Sequence, residues 1–110
     1  MASLNLSVLD QSPIHENKHP KEGLFDSIKL AKICEDEGYY RYWCAEHHDT
    51  PGYASSCPEI MVSSIANATS KIRVGSGGVM LNHYSSFKVA ETFKNKNLSK
   101  IWRLFVKMLI

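Results

Sequence analysis

From Leu4 to Leu9 apolar and polar positions alternate, with Leu4, Leu6 and Val8 on one face, and the run ends in Asp10-Gln11-Ser12-Pro13. A period of two followed by turn residues predicts a strand and then a loop. The period changes near Glu22. Leu24, Ile28, Ala31 and Glu35 recur at helical spacing with Phe25 and Leu30 beside them, which predicts a helix over 22–37 with Gly38 just past its end. Tyr42, Trp43 and Cys44 form a short apolar run suited to a second, buried strand. Pro58 and Glu59 fit the first turn of a second helix, whose Met61, Ile65 and Ala68 share a face until Ser70 and Lys71. Lys71 to Val74 reads as a third strand that breaks at Gly75-Ser76-Gly77-Gly78, and a third helix begins near Ser85 or Ser86 with Val89, Ala90 and Phe93 inward. The order βαβαβα predicts an α/β fold of parallel strands joined by right-handed helical crossovers. Beyond it, Ile101, Leu104, Phe105 and Met108 match the i, i+3, i+4, i+7 template with no Gly or Pro from Asn95 on, so the spacing predicts a C-terminal amphipathic helix over 98–109.

Composition narrows the class. The 110 residues are 44% hydrophobic and 22% charged, enough for one soluble globular domain. A net charge of +2 with scattered lysines gives no basic patch for nucleic acid. The first residues lack a basic n-region and a long apolar run, and no stretch reaches the roughly 18 apolar residues of a membrane span, so the expected location is the cytoplasm. Cys34, Cys44 and Cys57 are odd in number and lack metal-ligand spacing, which predicts reduced thiols that pack as small hydrophobes.

Chemistry concentrates where the second strand ends, at Arg41-Tyr42-Trp43-Cys44-Ala45-Glu46-His47-His48. In an α/β protein the carboxyl end of such a strand opens onto the ligand crevice, which places Glu46, His47 and His48 at a mouth. A neutral imidazole accepts a proton near pH 7, and a neighbouring carboxylate orients it or raises its pKa. The same three residues also suit a solvated loop cap. Two other motifs carry less. His15-Glu16-Asn17-Lys18-His19 matches the H-E-x-x-H zinc pattern, but Pro13 and Pro20 bracket it and deny it the helix that pattern needs, so no metal site is expected. Gly75-Ser76-Gly77-Gly78 is neither G-x-G-x-x-G nor a Walker motif; its glycines suit an unusual backbone beside a flat ligand or a tight strand exit.

Four segments in order resemble the bacterial luciferase-like flavin monooxygenases over roughly residues 4–93: Leu6-Ser7-Val8-Leu9-Asp10-Gln11-Ser12-Pro13, Glu37 to His48, Ala54-Ser55-Ser56-Cys57-Pro58-Glu59, and Ile72 to Ser85. The resemblance implies a TIM barrel that binds reduced flavin, usually FMN and in some relatives a deazaflavin, and uses dioxygen to oxidise a small organic substrate. It also implies a flavin reductase as the supplier of reduced flavin. His47 falls at the family's catalytic base or stabiliser of the flavin peroxide, with Glu46 beside it in the same motif. Ser76, Gly77, Gly78 and Val79 fall at the flavin ring, with a non-proline cis peptide expected at Gly77-Gly78. Asn82 and Ser86 stand where close relatives often have proline.

A TIM barrel takes eight βα units and about 250 residues, with its phosphate site after strands 7 and 8. Three units are recognisable here, so the expectation is a partial barrel: a single truncated domain over 1–110 with a divergent tail over 94–110 that lacks the family's fourth-strand signature. Unpaired sheet edges make homo-oligomerisation a further expectation. The competing expectation is a noncatalytic remnant serving as a binding or assembly module through its basic amphipathic tail.

Overall fold

The computed structural model describes residues 4–94 and, as backbone, 105–109. Among the described residues four strands and three α-helices follow in the order β1 (Ser7–Asp10), α1 (Pro20–Asp36), β2 (Arg41–Cys44), α2 (Pro58–Ala68), β3 (Arg73–Met80), a 3-10 turn (Leu81–His83), α3 (Ser86–Lys94) and β4 (Phe105–Leu109). All strand pairs are parallel and the sheet order is β1-β2-β3-β4. Sequential order without a reversal is the singly wound arrangement of a partial (β/α) barrel rather than of a doubly wound sheet.

The register aligns Val8 with Tyr42 and Tyr42 with Val74, a row that faces the helices. Against it pack Ala31 and Cys34 of α1 and Met61, Val62 and Ile65 of α2, all buried. Leu9, Trp43 and Gly75 form the next row, on the opposite face. α1 begins two residues earlier than its periodicity suggests, because the side chain of His19 caps it: Nδ1 accepts from the Lys21 N–H at 3.2 Å, and the His19 N–H donates to Glu22 Oε2 at 2.8 Å. The second histidine of the H-E-x-x-H segment is thus a helix cap. Phe25 and Leu30 stay exposed. Gly38 adopts φ +80°, the left-handed conformation that ends a helix without a Cβ clash.

Two expectations are corrected here. β3 does not break at Gly75 but runs on to Met80, because its pairing needs only backbone groups, which glycine supplies as well as any residue. The C-terminal helix is replaced at Phe105–Leu109 by a fourth parallel strand, with Gly75 opposite Phe105 and Ser76 opposite Val106. The physical reason is the second edge of β3, whose N–H and C=O groups take partners from the backbone of Phe105–Leu109. Residues 98–104 of the expected helix lie outside the described residues.

Among the described residues no helix is long and apolar enough to cross a membrane, and no group of three His, Cys, Asp or Glu side chains could hold a metal ion. Cys34, Cys44 and Cys57 are free thiols.

Candidate active site

The ends of β1 and β2 are drawn together by backbone bonds before any site side chain is placed. The Ala45 N–H donates to Asp10 O at 2.9 Å, extending the β1–β2 ladder by a step. The loops that follow continue the contact: Ala54 N–H to Ser12 O at 2.8 Å, Ile14 N–H to Gly52 O at 2.9 Å, and an antiparallel bridge between Pro13 and Tyr53. Ser12 takes φ +49°, and the buried Asp10 carboxylate holds that turn by accepting the Ser12 N–H at 2.8 Å and the Tyr42 hydroxyl at 2.7 Å.

The three ionisable residues after β2 point in different directions. Glu46 is buried; its Oε1 lies 2.6 Å from His48 Nε2 and its Oε2 accepts the Met80 N–H at 3.1 Å, so it ties the end of β2 to the end of β3. Tyr84 is its further neighbour. Burial first, and then a hydrogen bond to Glu46, push the Tyr84 hydroxyl above the ordinary tyrosine range. His47 leaves on the other side. Its N–H donates to Ser55 O at 2.9 Å, its Nε2 is hydrogen-bonded to Gln11 Oε1, and its ring stacks on Tyr53 with centroids 4.3 Å apart and planes 23° apart. Alternation at a strand end sends neighbours to opposite sides, so the imidazole that the Glu46 carboxylate meets is that of His48, while His47 meets Gln11.

His47 opens onto a cavity of about 670 Å³. Ile14, Pro20, Pro51 and Tyr53 supply its apolar wall, and Lys18 and Asp49 supply a charge of each sign. An apolar cleft with a few polar groups is the ordinary setting for a small organic ligand.

The glycine segment of β3 divides as well. Ser76, Gly78 and Val79 are buried, Ser76 with its hydroxyl donating to Gly78 O, and Val79 faces a small hollow shared with Tyr84, Val89 and Phe93. Gly77 alone of the four is partly open, on the face away from the helices. A Cβ there would meet Leu9 Cδ1 at 2.8 Å, Cys44 O at 3.5 Å and Trp43 Cβ at 3.6 Å. The β3–β4 register shifts between Ser76 and Val79, so the backbone bulges at Gly77 and Gly78. Peptide bonds among the described residues are all trans, which corrects the expected cis link at Gly77-Gly78: the strand absorbs its irregularity as a bulge instead.

Gln11 and Tyr53 were not singled out from the sequence as site residues. The signals for Gln11 are its place at the carboxyl end of β1, where a parallel sheet presents its ligand-facing loops, and its presence in the first of the four family segments.

The sequence model of the luciferase-like monooxygenase family matches residues 4–95. The N-acetyl-S-alkylcysteine monooxygenase of Bacillus subtilis (strain 168) is 50% identical over 90 residues, 82% of this chain and 27% of the relative. The crystal structure of apo-MsnO8 superposes with a TM-score of 0.90 at 42% identity, covering 96% of this chain and 32% of that one. The FMN complex of the oxygenating constituent of 3,6-diketocamphane monooxygenase from Pseudomonas putida shares the fold, with a TM-score of 0.87 at 18% identity over 98% of this chain and 30% of its own. The chain thus spans less than a third of each of these proteins.

Proposed function

The chain belongs to the luciferase-like monooxygenase family, and from that premise we propose that it forms the opening βα units of a flavin-dependent monooxygenase in which His47 handles the proton of the reaction. The observation that carries this reading is the position of His47: its imidazole is held on a rigid pair of loops at the carboxyl ends of β1 and β2, facing a cavity large enough for a small organic molecule.

Reduced FMN would supply the electrons for dioxygen when bound, whereas a deazaflavin in its place would supply a hydride and no oxygen chemistry. The residues present fit a flat ring at one place. Gly77 removes a side chain from the face that Leu9 and Trp43 share, and the bulge at Gly77 and Gly78 leaves that backbone irregular, so this strip would lie against the ring. Ser76 and Val79 act from behind, as buried supports of the bulge. Glu46 holds β2 to β3 and fixes His48, which makes it a structural carboxylate of the site. Tyr53 and the apolar wall would hold the substrate's body beside His47. The relative named for N-acetyl-S-alkylcysteine makes a thioether the first substrate class to try, with dioxygen as co-substrate; a separate flavin reductase as electron supply and the cytoplasm as location are part of the same proposal.

The test is a chimera in which residues 4–94 replace the matching segment of the Bacillus subtilis relative. Thioether oxidation dependent on reduced FMN is expected, and His47→Ala in the chimera should lower turnover by roughly 10²-fold with FMN affinity little changed. Equal turnover by the chimera and its His47→Ala form would overturn the proposed role.

A further inference from the structure

We infer that Gln11 is the positioning residue of His47: its amide oxygen accepts the Nε2–H and so keeps the proton of the neutral imidazole on Nε2, leaving Nδ1 as the nitrogen able to accept a proton. The inference rests on the reading of His47 as the proton-handling residue. A carbonyl oxygen has only lone pairs, so the ring nitrogen that meets it must carry the hydrogen, and a neutral imidazole then has its bare nitrogen on the other side. Among the described residues Nδ1 meets no hydrogen-bond partner of its own, so nothing in them competes for its lone pair.

Neither partner is free to drift. Gln11 sits between Asp10, paired in β1, and Ser12, whose N–H is bound by the Asp10 carboxylate at 2.8 Å and whose carbonyl accepts the Ala54 N–H at 2.8 Å. His47 is fixed through its own N–H to Ser55 O at 2.9 Å, and Tyr53 covers one face of the ring at 4.3 Å. Tyr53 itself faces Pro13 in the bridge between the two loops. The three parts of the device therefore come from two loops that share a ladder, which holds ring plane, ring position and acceptor in one frame. The charged groups lining the same cavity are Lys18 and Asp49, one of each sign; Glu46, the carboxylate adjacent in sequence, is committed to His48 and the Met80 N–H.

Long-range ¹H–¹⁵N spectra of the imidazole in the 110-residue chain test this directly, because the two ring-nitrogen shifts report the tautomer. The wild-type chain should show His47 mainly as the Nε2–H form. Gln11→Leu should give a mixture of tautomers with the amide spectrum of the rest of the chain unchanged. Gln11→Glu, which offers the same acceptor with a charge, should keep the Nε2–H form and raise the His47 pKa by about one unit or more. A wild-type His47 protonated on Nδ1, or an unchanged tautomer ratio in Gln11→Leu, overturns the inference. Should Gln11→Leu not fold, the wild-type tautomer and the direction of the Gln11→Glu shift decide it, and an unshifted or lowered pKa counts against it. These spectra read the ring and not turnover, so failure here is distinct from failure of His47 as the residue that handles the proton in the chimera.

Discussion

Glu35 is the place where a single substitution should tell most about how the barrel strands are held in line. Its carboxylate, near the end of α1, accepts the N–H groups of Ser70, Lys71 and Ile72 at 2.5 to 2.9 Å, where the chain leaves α2 and enters β3. Hydrogen bonds to a charged acceptor contribute roughly 1.5–3 kcal/mol net where they are buried, but Ser70 and Lys71 are exposed and their N–H groups return to water when the acceptor is lost. Ile72 is 3% exposed, so water reaches its N–H less readily than those of Ser70 and Lys71. Removing the charged acceptor of a buried donor costs about 1–3 kcal/mol, and the two exposed donors add a few tenths each, which gives about 2 kcal/mol for Glu35→Ala and about half of that for Glu35→Gln, which keeps one oxygen. In urea unfolding followed by circular dichroism, about 2 kcal/mol moves the midpoint down by roughly 1–2 M for a domain of this size, with the slope unchanged. Amide exchange should quicken at residues 70–72 before it does elsewhere in the sheet. A loss under about 0.5 kcal/mol in Glu35→Ala, with exchange at Ile72 unaltered, would show that water replaces the carboxylate and that the turn is held by other means.

His48→Ala should destabilise the fold by roughly 1–3 kcal/mol, because it removes a partner from the buried Glu46 carboxylate, whereas His47→Ala should leave the unfolding midpoint nearly unchanged; equal midpoints in the two variants would contradict the division of roles. Burial, with the Asp10 charge adding to it, pushes the Cys44 thiol from 9.0 up to about 12, and burial with the Asp10 hydrogen bond pushes the Tyr42 hydroxyl up too. Both folded-state values are raised, so the stabilisation is complete below about pH 9 and is lost as pH climbs towards 12, at up to about 1.4 kcal/mol per unit per group; a melting temperature that stays flat from pH 9 to 11 would refute it. Gly77→Ala should cost little stability, since the clashing Leu9 is 56% exposed and can swing aside, yet it should weaken FMN binding in the chimera, and Leu9→Ala beside it should restore part of that affinity. Titration of the 110-residue chain itself with FMN should give a dissociation constant above about 1 μM, because one wall of a pocket does not offset the lost freedom of the ligand; fluorescence quenching that saturates below that concentration would show a more complete site.

Local pattern was enough for the parts of the fold whose signals are local. α1 and α2 announce themselves by apolar residues at helical spacing bounded by Pro20, Gly38 and Pro58, and their observed ends fall within two residues of that reading. β1 and β2 follow from short runs next to turn residues, and the four family segments around them single out His47 and the glycines. The tail went the other way: Ile101, Leu104, Phe105 and Met108 match the helical template, yet Phe105–Leu109 pairs as a strand, because so short a window does not separate the two states. β3 likewise looked finished at Val74, since glycines read as an exit when the neighbouring strand is not in view.

What the sequence determined by itself was therefore the set of elements with their own periodicity, the family, and the position of the ionisable cluster at a strand end. What only the tertiary structure decided was pairing. Glu46, His47 and His48 are consecutive, yet alternation and the approach of β1 and β3 send them to different partners: the Met80 N–H for Glu46, and for His47 the amide of Gln11, 36 residues earlier in the chain. Glu35 reaches Ile72 across 37 residues, and Phe105–Leu109 becomes a strand because the edge of β3 is there to receive it. Spacing along a chain encodes periods of two and 3.6 residues, whereas the partner of a hydrogen-bonding group is set by which distant segment the packed core brings within about 3 Å of it.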